Sequence, residues 1–107
     1  MIIKNKTCYV FDVESLKNCF TCTILDTETM EKFVFEMSIR KCEHRELIRF
    51  FADKSESGIF AGYNIRHYDM VIINYILLEL NSNKYDTISM CNSIYKLSQT
   101  IISDKTG

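Results

Sequence analysis

Residues 7–13 read TCYVFDV, a stretch of β-branched, aromatic and apolar side chains with the alternation of a strand, and residues 14–15 continue it as ES. Period two puts Asp12 and Glu14 on one face and Phe11 and Val13 on the other. Two neighbouring carboxylates on a partly buried strand repel each other and lose hydration, so they need compensation. A divalent cation is one source of it, and paired oxygen ligands suit Mg²⁺ or Mn²⁺ better than zinc. A strand end turning into solvent, with both acids simply hydrated, accounts for the pair equally well.

Working outward, residues 18–25 (NCFTCTIL) set Phe20, Cys22 and Ile24 against Thr21, Thr23 and Leu25, the pattern of a second strand. The connection through Ser15–Asn18 is short enough for a hairpin. Asp26 opens a turn, and Lys32–Met37 (KFVFEM) returns as a third strand. Residues 43–54 form a helix with Leu47, Ile48, Phe50 and Phe51 on its apolar side and Arg45, Arg49 and Lys54 solvated. Residues 59–63 (IFAGY) have the near-continuous apolar character of a buried parallel strand. Residues 69–80 and 89–102 complete the chain as two further helices. The order β-β-β-α-β-α-α predicts an α/β protein with a mixed sheet, as one domain over residues 1–107.

The junction between the fourth strand and the second helix reads GYNIRHYD over residues 62–69. Asp69 stands at a helix start, where a carboxylate serves as a cap, and Asn64 is a natural turn former. With FDVES at residues 11–15 and GYNIRHYDMVIINYIL at residues 62–77, the chain resembles the front part of the DEDD-type 3′–5′ exonucleases. The likeness is to the proofreading domain of family B DNA polymerases, especially those of phages. The resemblance implies a ribonuclease-H-like mixed sheet and two-metal phosphodiester hydrolysis. It implies that Asp12, Glu14 and Asp69 ligate Mg²⁺ or Mn²⁺, and that Asn64, Tyr68 and Arg66 contact a single-stranded DNA 3′ end. A bacterial host cytoplasm is the implied location.

The family's third motif, Y-x-x-x-D or H-x-x-x-x-D, has no counterpart here: Tyr95 is followed four residues on by Gln99, and His67 five residues on by Ile72. The fourth metal ligand and the residue that orients water are therefore missing, and the chain ends short of that motif. This sets a second expectation beside the first. A shortened exonuclease fold could serve as a non-catalytic phage or mobile-element binding protein, for example one that inhibits a host nuclease or defence complex. In either case a protein partner or a second copy should cover the open side of the sheet.

The net charge of −1 advertises no basic nucleic-acid groove. Five cysteines, an odd count, favour reduced thiols. No apolar run has the length of a membrane span. Cys19 and Cys22, three apart on a strand, point to opposite faces and read as packing rather than chemistry. His44 and His67 lack partners at ligand spacing, and His44 is expected on a solvated helix surface. Tyr63 could stack a base, whereas Tyr75 belongs to the core.

Overall fold

The computed structural model describes the backbone of residues 2–3, 5–62, 68–80 and 86–106, with the side chains of 5–62, 69–80 and 86–102. Five strands and three helices follow in order: β1 (Ile2–Ile3), β2 (Lys6–Leu16), β3 (Cys19–Asp26), β4 (Lys32–Met37), α1 (His44–Lys54), β5 (Gly58–Gly62), α2 (Tyr68–Glu79) and α3 (Thr87–Thr106). The predicted order holds, with one addition. The short β1 pairs antiparallel with the start of β2, Ile2 opposite Thr7, across a turn in which Asn5 takes a left-handed φ of 65°. Asn is among the few residues that adopt this conformation at low cost.

β2 is the spine of the five-stranded mixed sheet. It pairs antiparallel with β3 from Tyr9↔Asp26 to Leu16↔Cys19, and parallel with β5 from Thr7↔Gly58 to Phe11↔Gly62. β4 extends the sheet beyond β3, from Phe20↔Met37 to Leu25↔Lys32. This register places Tyr9, Phe11, Val13, Phe20, Cys22 and Ile24 in one buried block. The intervening row of Val10, Asp12, Glu14, Thr21, Thr23 and Val34 is half-buried or exposed. The sheet is therefore packed on one face and open on the other, the arrangement that period-two patterning encodes in an antiparallel meander.

Aromatic side chains join the layers. Phe11 meets Phe51 of α1 edge-on at 5.6 Å, and Phe51 lies 4.5 Å from Phe60 of β5. Phe50 fits among Tyr9, Phe33 and Phe35. Ile72, Ile73 and Ile76 of α2, with Met90, Cys91 and Ile94 of α3, belong to the same core. Gly58 is fixed by this packing: a Cβ there would stand 2.6 Å from the Tyr9 ring and 2.9 Å from the Lys54 carbonyl oxygen.

Three expectations are corrected. Residue 43 precedes α1 as its N-cap, and α3 starts at Thr87, earlier than the apolar spacing indicates. The Asp86 carboxylate accepts from the Ser89 amide at 2.8 Å, which is the capping contact that starts α3. His44 is 8% exposed rather than solvated. It opens the helix beside the β4 turn, where its ring packs against Cys42.

Candidate functional site

β2 outruns its parallel neighbour. Among the described residues β5 pairs as far as Gly62, opposite Phe11, while β2 continues to Leu16. The Val13 amide beyond that point needs another acceptor, and Asp69 of α2 supplies one: its Oδ1 lies 3.3 Å from the Val13 nitrogen, across 56 residues of sequence. Asp69 is 1% exposed. Its close approach depends on Gly62, because a Cβ there would stand 3.1 Å from Asp69 Cβ and 3.4 Å from Oδ2.

The tertiary fold thus brings the end of the strand that carries Asp12 to the start of the helix that carries Asp69. Their charges interact. Burial, then the negative charges of Asp69 and Glu14, raise the Asp12 pKa above its ordinary 3.8, against a lowering hydrogen bond from the Val13 amide. Cys22, buried beneath this corner, has its thiol pushed far up by burial and by the charges of Asp69 and then Asp12.

The three acids occupy different settings. Asp12 and Glu14 belong to the open-face row, whereas Asp69 is buried at the rim with its carboxylate engaged by backbone. Among the described residues, no group of three or more His, Cys, Asp or Glu is arranged to hold a metal ion. The described donors thus amount to a repelling pair of carboxylates with Glu14 nearby, and they do not by themselves fit a tightly held ion. Asn64 and Arg66, with Tyr63 and His67, lie outside the described residues, as does the Tyr68 side chain, although Tyr68 itself begins α2.

A raised folded-state pKa means that the folded protein holds the Asp12 proton more tightly than the unfolded chain does. Stability from this group is complete below the unfolded value of 3.8 and is lost as pH rises through the folded pKa. Ionised Asp12 is therefore destabilising at neutral pH. Asp12→Asn is expected to raise the melting temperature at neutral pH, through a stability gain of no more than about 1 kcal/mol because the side chain is exposed and screened. The gain should vanish below pH 3.8. Melts of both proteins across this pH range check it, and a gain that persists in acid would locate its source elsewhere.

The sequence reading missed one pair of residues. Cys42 Sγ and His44 Nδ1 are 3.4 Å apart. The only local signal is their C-x-H spacing before an amphipathic run, which is weak because a side chain at a helix start points in or out according to packing. A cavity of about 440 Å³ between α1, β5 and α2 is lined mainly by Ile48, Phe51, Phe60 and Leu77. Its lining carries no titratable side chain.

Among the described residues, no helix is long and apolar enough to cross a membrane. Comparison with protein-family models, with curated proteins and with solved structures finds no match to this chain.

Proposed function

We propose that this chain is a 3′–5′ exonuclease-like domain with a ribonuclease-H-like fold, directed at the 3′ end of single-stranded DNA and weak or silent in hydrolysis by itself. The observation that carries the reading is the meeting of two sequence motifs. Asp69, from the N-terminus of α2, reaches the strand end that bears Asp12 and Glu14, and its charge adds to burial in raising the Asp12 pKa. A carboxylate whose pKa is raised by burial and by neighbouring acids, as that of Asp12 is, is common at functional sites. Mg²⁺ or Mn²⁺ would offset their charge and polarise a phosphodiester oxygen. Asp12 and Glu14 from the strand and Asp69 from the helix would be the ion's ligands, holding it weakly, since the described carboxylates alone do not make a tight site. Asn64, Arg66 and Tyr68 are assigned to holding the 3′ nucleotide. No residue of this chain is assigned to orient the attacking water.

A second reading draws on the same corner. Asp69 already serves the fold as acceptor for the Val13 amide, a role that needs no ion. The open face of the sheet, with Val34 59% exposed, suits contact with a protein partner or a second copy. A non-catalytic binding protein built on an exonuclease frame, acting for instance on a host nuclease, follows from these two facts.

The deciding experiment incubates the chain with a 3′-recessed-free, 5′-labelled single strand and Mn²⁺, beside Asp12→Ala. Little or no trimming is expected, because the water-orienting residue is worth about 10²–10⁴ in rate. Mn²⁺ is also expected to raise the melting temperature of the wild type by mass action, and not that of the Asp12→Asn, Asp69→Asn double variant. A rise in both proteins, or in neither, would remove the metal-site reading. Robust trimming that disappears in Asp12→Ala would remove the binding-protein reading.

A further inference from the structure

The turn after β4 is tightly built. Met37 and Cys42 form a β-bridge, and the Ser38 amide donates to the Lys41 carbonyl at 2.7 Å. The Glu36 amide donates to Glu43 Oε1 at 3.0 Å, while the Glu43 amide donates to the Glu36 carbonyl at 2.9 Å. Arg40 grips the Glu36 carboxylate through Nε and Nη2 at 2.8 and 2.9 Å. This frame holds Cys42 just before α1, where its Sγ lies 3.4 Å from Nδ1 of His44, the first residue of the helix.

The two side chains differ in a useful way. Cys42 is exposed, whereas Cys8, Cys22 and Cys91 are buried and Cys19 is half-buried, all five being free thiols. His44 is buried as a residue, and its ring is held against Cys42 by the packing at the helix start. Burial, then the neighbouring Arg45 charge, lowers the His44 pKa from 6.5 against an opposing contribution from Glu46. The imidazole is thus neutral at physiological pH, and in its Nε2–H tautomer Nδ1 is an open proton acceptor.

We propose that Cys42 and His44 form a thiol–imidazole pair that exchanges with low-molecular-weight disulfides to give a mixed disulfide at Cys42. As Sγ attacks one sulfur of the disulfide, the thiol proton passes to His44 Nδ1. A new S–S bond forms, the old one breaks, and its electron pair leaves on the second sulfur. That sulfur takes the proton from the imidazolium and departs as a thiol, so one disulfide replaces another with no further oxidant. Cys91 of α3, the neighbouring thiol across the turn, donates to the Met37 carbonyl at 3.0 Å, and burial raises its pKa to about 11. It is a poor resolving thiol, so the reaction stops at the mixed disulfide.

The test exposes the folded chain to oxidised glutathione at neutral pH and follows adducts by intact mass and peptide mapping, beside Cys42→Ser, His44→Asn and the wild type unfolded in urea. The first adduct is expected on Cys42, forming at least about tenfold faster in the folded chain than in urea, and about tenfold slower in His44→Asn. First reaction at another cysteine, or equal Cys42 rates folded and unfolded, would overturn the proposal. An unchanged rate in a folded His44→Asn would overturn it too. If that variant does not fold, the folded-to-urea ratio of the wild type decides.

Discussion

Asp69→Ala is expected to destabilise the protein by about 1–3 kcal/mol, because it removes the buried acceptor of the Val13 amide and leaves that amide only the Asp12 carboxylate. In a chain of this size each kilocalorie is worth roughly 4–8 °C of melting temperature, so the loss should be plain in a thermal melt. Asp69→Asn separates the two roles of the side chain. It retains an oxygen for the Val13 amide and removes the charge that opposes ionisation of Asp12. Its stability should stay within about 1 kcal/mol of the wild type, while the Asp12 pKa falls back toward 3.8. Carbon-detected NMR titration of the Asp12 carboxyl reads the second effect. An Asp69→Ala protein as stable as the wild type would mean that the carboxylate is not a structural acceptor.

Phe11→Ala should cost more, about 3–5 kcal/mol. Phe11 is fully buried, meets Phe51 edge-on at 5.6 Å, and lies opposite Ile24 in the sheet, so truncation empties the centre of the layer contact. Against a typical total of about 5–15 kcal/mol, this removes a large share of the stability. Urea denaturation measures it, with an unchanged slope showing that the fold itself persists. Phe11→Leu refills most of the space and should lose less than half as much. A cost below about 1 kcal/mol for Phe11→Ala would contradict the packing of α1 onto β2. Phe11 and Asp12 are adjacent, so the strand that anchors the core also presents the acids, one row to each face.

Periodicity is why so much of the architecture was readable. The alternation over Phe11–Val13 and Phe20–Ile24 chooses a buried face without reference to the rest of the chain, and β2, β3 and β4 follow it. The run Leu47–Phe51 does the same at helical spacing for α1. In α2 the apolar residues surround the helix, and the sequence does not say that Ile72, Ile73 and Ile76 turn inward while Leu78 remains 79% exposed. β1 escaped notice because two residues are too few to show a period, and only pairing with β2 makes them a strand.

By itself, then, the sequence determined which residues alternate, where the helices run, and that Asp12 and Glu14 share a row apart from Phe11 and Val13. Tertiary structure alone decided that the Val13 amide would find its acceptor in Asp69, and that His44 would turn inward against Cys42. The physical reason is range. Strand and helix patterns are set by neighbours a few residues away, whereas an amide at the rim of a sheet takes whatever acceptor the packed fold brings to it, here from 56 residues along the chain.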